Sequence, residues 1–285
     1  MRDIQNEKDD RAVPLQRVGV KGVKYPVTVL DKSKKVQNTT ATVDLFVNLP
    51  HNFKGTHMSR FIEVFHKYHS DITMQHFLDM LEDIRKKLNA QQAFGKITFP
   101  YFIEKNAPVT LSQGIMQYIC SYEGEVSLCE DENKSAKKDA KCKGNSKESA
   151  CKNDDMGDKR KFYVSIKVPV ATLCPCSKAI SDYGAHNQRG LVTVRLLYTD
   201  FFWIEDVISI VEECSSTPLY TLLKRKDEKF VTEHAYDNPR FVEDIVREVY
   251  LKLKAANFKE FYVEAENEES IHNHNAYAYT EYCGI

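Results

Sequence analysis

A long tract that cannot enter a core divides this chain in two. Residues 130–161 are mostly Lys, Asp, Glu, Ser and Asn, with almost no large apolar side chain. Such a stretch buries too little surface to offset the entropy lost on ordering it, so it reads as a solvated, disordered insertion. Cys129 borders it and Cys142 and Cys151 lie inside, but without the close Cys-x-x-Cys pairs of zinc knuckles. The first 20 residues are also polar and charged and read as a mobile arm. Any core must therefore come from two flanks, residues 21–128 and 162–285, with the insertion taken as 129–161.

The flanks carry the same order of periodicities. In the first, residues 23–30 and 39–49 are rich in β-branched residues with apolar positions alternating, which predicts strands. Val43, Leu45, Val47 and Leu49 would share one face. Met58, Phe61, Ile62 and Phe65 then recur at helical spacing, as do Phe77, Leu78, Leu81, Ile84 and Leu88, with Asp71 or Thr73 available as N-cap. Strands resume at 97–104 and 115–122. In the second flank, strands are expected at 162–172 and 191–198. Helices are expected at 204–213, in a short piece near 219–223 and at 240–255, the last started by Asn238 as cap and Pro239. Its inner face would be Phe241, Ile245, Val249 and Leu253, or their neighbours. Strands close the chain at 258–266 and 276–282. Each flank thus reads strand-strand-helix-helix-strand-strand, which predicts two fused α+β units with antiparallel sheets and helices layered on one face.

Composition narrows the function classes. A formal net charge of −1 gives no basic field for nucleic acid. An anionic substrate would have to meet a local basic cluster. No window approaches the ~18 uninterrupted apolar residues of a membrane span, and the polar N-terminus is unlike a signal peptide. A cytoplasmic protein is expected, with its eight cysteines as thiols or metal ligands.

The densest chemical signal is Leu173-Cys174-Pro175-Cys176-Ser177-Lys178, followed by Gly184-Ala185-His186-Asn187-Gln188-Arg189-Gly190. Two thiols, an imidazole and two cations in one strand connection are hard to explain by packing; the plain alternative is a pair of buried thiols beside a capping histidine. His272 and His274, two apart near the C-terminus, could be metal ligands or acid/base groups, or merely exposed residues of a polar turn. Lys224-Arg225-Lys226-Asp227-Glu228-Lys229 is foremost a solvated charge run. Within it Glu228 could supply an oxygen ligand, and Lys224 or Arg225 could pair with phosphates. Glu243, close to a helix start, is either a dipole-favoured charge or a carboxylate that accepts from N1–H and the 2-amino group of guanine. Lys54 and Arg60 flank Gly55 in a polar loop leading into a helix, an arrangement suited to anions though most simply an ordinary turn.

These strings, together with Lys54-Gly55-Thr56-His57-Met58-Ser59-Arg60-Phe61, Asn238-Pro239-Arg240-Phe241-Val242-Glu243-Asp244, Glu264-Ala265-Glu266-Asn267 and Ser270-Ile271-His272-Asn273-His274, resemble the prokaryotic type IB GTP cyclohydrolases of the tunnelling-fold superfamily. The resemblance implies the tunnelling fold, with two fused units of the order read above. It implies hydrolysis of GTP to 7,8-dihydroneopterin triphosphate and formate, the first step of pterin and folate synthesis. Water would attack guanine C8, activated by a divalent metal, zinc or manganese, with other divalent ions tolerated. By the match Cys174, His186 and Glu228 look like metal ligands, and Cys176 like a thiol that either supports those ligands from behind or acts as acid/base. His272 and His274 stay open between a remaining ligand and a proton shuttle. Glu243 looks like the guanine anchor, and Lys54, Arg60, Lys178, Arg189, Lys224 and Arg225 are the cations available to the substrate. A homotetramer with sites at subunit interfaces is also implied. Three other readings compete. One is a related cyclohydrolase that releases a cyclic phosphate. Another is a non-catalytic, metal-stabilised nucleotide-binding protein. The third, a deazapurine reductase on the same fold, is disfavoured by residues 174–189.

Overall fold

Alternation along the strands builds one sheet, and helical periodicity covers one of its faces. The structure, a computed structural model, describes residues 5, 7–128 and 159–284. The first flank forms β1 (Leu15–Asp31), β2 (Lys35–Leu49), α1 (Met58–Tyr68), α2 (Met74–Lys87), β3 (Gln92–Asn106) and β4 (Gln113–Ser127). The second forms β5 (Lys159–Leu173), α3 (Pro175–Ile180), β6 (Asn187–Leu197), α4 (Ile204–Glu213), β7 (Thr217–Pro218), α5 (Arg225–Asp237), α6 (Val242–Ala255), β8 (Glu260–Glu268) and β9 (Ala276–Cys283). Setting aside α3, β7 and α5, each flank is the expected strand-strand-helix-helix-strand-strand unit. The strands pair antiparallel in the order β1-β2-β3-β4-β5-β6-β8-β9, with β7 added to β5. The two units become one sheet through β4 and β5, paired from Ile119 opposite Lys167 to Ser127 opposite Lys159.

The inward residues of the strands, Val43, Leu45 and Val47 among them, pack under Phe61 and Phe65 of α1 and Phe77, Leu81 and Ile84 of α2. In the second unit Val207 and Val211 of α4 and Ile245, Val249 and Leu253 of α6 do the same. Each such side chain contributes roughly 1.5–3 kcal/mol on leaving water. Helix α2 lies close to the sheet because Gly95 and Gly124 face each other across β3 and β4. A Cβ at Gly124 would stand 2.6 Å from the Phe77 ring. Polar contacts fasten the units together. From α4, Glu205 accepts from the Tyr101 hydroxyl at 2.7 Å. Glu212 accepts from Tyr118 at 2.8 Å and pairs with Lys105 at 2.7 Å. Burial pushes Lys105 below the usual lysine value, with Glu212 opposing that shift.

Several boundaries differ from the sequence expectation. The arm expected through residue 20 ends earlier, because Leu15, Val18, Gly19 and Val20 already pair with β2. The expected insertion lies outside the described residues up to 158, and residues 159–161, assigned to it by composition, are the first of β5. The helix near 219–223 is absent; the helix lies at 225–237 instead, within and beyond the charge run. Asn238 does not cap α6. It ends α5, and its side-chain amide donates to the Ser215 carbonyl at 2.9 Å. The cap of α6 is Phe241, whose N–H donates to Asp244 Oδ2 at 3.1 Å. Met58 and Phe241 are exposed rather than inward, while Thr73 does cap α2, accepting from the His76 N–H. Among the described residues no helix is long and apolar enough to cross a membrane.

Candidate active site

The site grows from the end of the β5–β6 pair. Register places Leu173 opposite Asn187, so antiparallel pairing alone brings the residues beyond each strand end together. The Cys174 N–H donates to the His186 carbonyl at 3.1 Å. Ser177 locks the same corner: its hydroxyl donates to the Cys174 carbonyl at 3.1 Å and accepts the His186 N–H at 3.2 Å. Gly184 sits at φ +120°, a conformation that L side chains rarely adopt, and so lets the chain turn back toward β6. Cys174 and His186 are half-buried, and Cys176, on the short helix α3, is exposed.

Four other segments meet this corner. Residues 215–217 and the start of α6 are tied to it: Leu173 N–H donates to Ser216 Oγ at 3.0 Å, and Arg240 N–H donates to the Leu173 carbonyl at 3.0 Å. The β8–β9 turn reaches it through Ser270, whose hydroxyl lies 3.2 Å from His186 Nδ1. The rings of His272 and His274 stack in this turn with centroids 5.1 Å apart, both exposed. Both lie between β8 and β9, so neither projects from a strand. Finally, α5 closes a cleft of 630 Å³ against the end of β5 and Tyr183, Gly184, Ala185 and Asn187, lined on the helix side by Val231, Thr232, Ala235 and Tyr236.

The remaining expected residues are distributed unevenly. Glu243 is exposed in the first turn of α6 and opens onto a separate cleft of 460 Å³ with Arg247, Tyr250 and Tyr279. Glu228 is exposed on the first turn of α5, with no side-chain hydrogen bond or ion pair among the described residues. The expected set of Cys174, His186 and Glu228 is not gathered: among the described residues no three His, Cys, Asp or Glu side chains come close enough to hold a metal ion. The physical reason lies next door. Asp227 is fully buried and accepts from Val109 N–H at 2.9 Å, Thr110 N–H at 2.8 Å, the Thr110 hydroxyl at 2.6 Å and Lys224 N–H at 2.9 Å. These bonds pin the start of α5 to the β3–β4 turn of the first unit. Burial raises the Asp227 carboxyl, but the hydrogen bonds outweigh it and hold the group below the usual range. Sequence reasoning passed over Asp227; its only signal was a carboxylate three residues beyond the helix cap.

Several cations are already engaged. Lys178 donates to the Tyr236 carbonyl at the end of α5 and stands 4.3 Å from the centroid of that ring. Lys54 pairs with Glu7 at 3.2 Å, and Arg60 reaches the Lys87 carbonyl at 3.5 Å. Arg189 is exposed, directly opposite Glu268, and Lys224 and Arg225 are exposed at the start of α5. The donor chemistry of Cys174 and His186, a thiol and an imidazole at one half-buried corner, suits a divalent ion of zinc-like softness. Among the described residues no third donor is gathered with them.

Comparison with known proteins agrees along the chain. The family described as Type I GTP cyclohydrolase folE2 matches residues 1–151 and 132–278. A protein named GTP cyclohydrolase FolE2 from Syntrophus aciditrophicus is 49% identical over 282 residues, covering 99% of both chains. One of the same name from Geobacter metallireducens is 47% identical over 282 residues, 99% of this chain and 97% of its own. Another, from Fervidobacterium nodosum, is 47% identical over 279 residues, 98% of this chain and 96% of its own. Among solved structures, a uricase from Arthrobacter globiformis aligns with a TM-score of 0.48 at 8% identity, over 94% of this chain and 93% of that one.

Proposed function

The chain belongs to the type I GTP cyclohydrolase FolE2 family, and from that premise we propose that it converts GTP and water to 7,8-dihydroneopterin triphosphate and formate, opening pterin and folate synthesis. The observation that carries the reading to particular residues is the corner at the end of β5 and β6. There the backbones of Cys174 and His186 are bonded to each other next to the residues that line a cleft, within a chain that matches the family over residues 1–278.

In this reading Cys174 and His186 hold a divalent ion, zinc or manganese. Glu228 is the third donor, because among the described residues its exposed carboxylate is committed to no other partner. The ion, when bound, lowers the pKa of water toward neutrality. The protein's own groups do the rest. Glu243 accepts from guanine N1–H and the 2-amino group and so fixes the base. Water adds at C8 and the imidazole ring opens to a formamide, a second water releases C8 as formate and frees the amine, and the ribose rearranges to a carbonyl that condenses with that amine, returning one water as the new ring closes. Protons move at the Cys176 thiol and at a ring nitrogen of His272 or His274, all three exposed around the corner. Arg189, Lys224 and Arg225 are the cations best placed to meet phosphates. Lys54, Arg60 and Lys178 would first have to leave the partners described above.

A homotetramer with sites at subunit interfaces belongs to the same proposal. It is supported by β1 and β9, which each pair on one side only among the described residues and leave two sheet edges for further copies. Purified protein incubated with GTP and manganese, oxidised and assayed for neopterin fluorescence and for formate, tests the activity. One formate per neopterin triphosphate is expected; a cyclic phosphate product or no turnover would overturn it. Light scattering coupled to gel filtration tests the tetramer.

A further inference from the structure

We propose that Ser270 is the positioning residue of His186: it sets the plane and the tautomer of the imidazole, and couples that ring to the turn carrying His272 and His274. This rests on the reading of His186 as a metal ligand.

The argument starts from what holds His186. Its carbonyl accepts from the Cys174 N–H and its own N–H donates to Ser177 Oγ, so its backbone is fixed on both sides. Nothing in those bonds fixes the ring, which can still turn about two side-chain torsions. The hydrogen bond that stops it is to Ser270 Oγ, at 3.2 Å from Nδ1. A ring nitrogen that donates its proton leaves the other with a lone pair. With Ser270 accepting from Nδ1–H, Nε2 is the nitrogen presented to an ion. Imidazole ligands depend on such outer partners for both orientation and basicity.

Ser270 is itself held from outside the turn. The neighbouring Glu269 accepts at 3.3 Å from the side-chain amide of Gln188, two residues beyond His186 on β6. Gln188 is only 8% exposed, so this anchor is packed in place. Strand pairing adds to it, with Arg189 opposite Glu268 and Gly190 opposite Asn267. The β8–β9 turn is thus latched to β6 at the level of His186. From that latch His272 and His274 follow two and four residues on. Through its hydrogen bond to the ring, Ser270 ties the turn that carries the two proton carriers to the metal ligand.

The test compares Ser270→Ala and Ser270→Thr with wild type, reading metal affinity rather than activity. Each metal-free protein is titrated with Zn²⁺ against a chromophoric chelator, and with Co²⁺ to follow the thiolate charge-transfer and ligand-field bands. Ser270→Ala is expected to weaken binding by about 10- to 100-fold, the usual effect of losing such a partner, and to alter the Co²⁺ bands. Ser270→Thr, which keeps the hydroxyl, is expected to restore both. Melting of the metal-free proteins is expected to be unchanged, since Ser270 is exposed. His186→Ala separates the two levels of the argument. If it binds zinc as wild type does, the ligand reading fails. If it loses zinc while Ser270→Ala binds normally, the ligand reading stands and the positioning role of Ser270 is overturned. Failure of the Thr variant to restore affinity would also overturn it.

Discussion

Glu243→Gln should weaken recognition of guanine without touching the fold, and the structure sizes both effects. Among the described residues the Glu243 side chain has no hydrogen bond or ion pair, and it is exposed. Its contribution to stability is therefore limited to the helix dipole, about 0.3–1 kcal/mol. Glutamine keeps its size and helix propensity. At about 2–4 °C per kcal/mol for a chain of this size, the melting temperature should move by a few degrees at most. The neighbouring Asp244 is the opposite case, because it caps α6 through the Phe241 N–H at 3.1 Å. Asp244→Ala should cost ~0.5–2 kcal/mol in stability. For catalysis the order reverses. A carboxylate accepts from both guanine donors, whereas an amide offers one acceptor and turns a donor toward a donor. Leaving one buried donor unpaired costs about 1–3 kcal/mol, which is about fivefold to 140-fold in turnover of GTP. Melting temperature, bound metal and kcat/KM measured on one preparation of each variant decide the matter. Wild-type turnover in Glu243→Gln, or equal loss in both variants, would refute the reasoning and return Glu243 to being a helix-start charge.

Cys174→Ala and His186→Ala should each remove most bound metal and nearly all activity, because a catalytic site has few protein ligands to spare; stoichiometric metal in both, by elemental analysis, would rule out these ligands. Asp227→Asn should lower the melting temperature at neutral pH and flatten its acid dependence. The folded carboxyl lies below the ordinary value near 4, so its contribution is fully present above that pH and is lost as pH falls through the folded value; parallel wild-type and variant curves would contradict this. Gly124→Ala should destabilise by about 1–3 kcal/mol through overpacking against Phe77, read by denaturant unfolding, and an unchanged midpoint would show that α2 shifts freely. Replacing residues 130–158 with a short Gly/Ser linker should leave turnover within a few-fold, since Ser127 and Lys159 are already paired across β4 and β5; a folded but inactive product would assign that segment a role.

What was legible in the sequence follows from how each element is stabilised. Strands and helices whose inward faces are apolar announced themselves, so Val43 to Leu49 and Phe77, Leu81 and Ile84 were placed on the correct faces by spacing alone. Helix α5 was not, because its only fully buried residues are Asp227 and Ala235. A helix held by a polar clamp to a distant turn has no apolar period to read, and its first turn looked like a charge run. The cap of α6 failed for a related reason. Asn238 and Pro239 resemble a helix start, but the Asn238 amide is engaged by Ser215, and the chain begins its helix at the next residue able to be capped, with Asp244 supplying the oxygen.

The same division runs through the site. Cys174 and His186 could be paired from sequence because they flank adjacent antiparallel strands, and such strands bring their ends together whatever else the fold does. The contacts that orient the pair are of another kind. Ser270 meets His186 across 84 positions of chain, and Asp227 meets Thr110 across 117. Both join elements that are brought near only by the order of strands in the sheet. One of these contacts holds the His186 ring and the other fixes the helix that carries Glu228. A site built this way has donors written locally and geometry written globally. A substitution in the β3–β4 turn of the first unit, far from any metal-binding motif, should therefore change how tightly the second unit holds its ion.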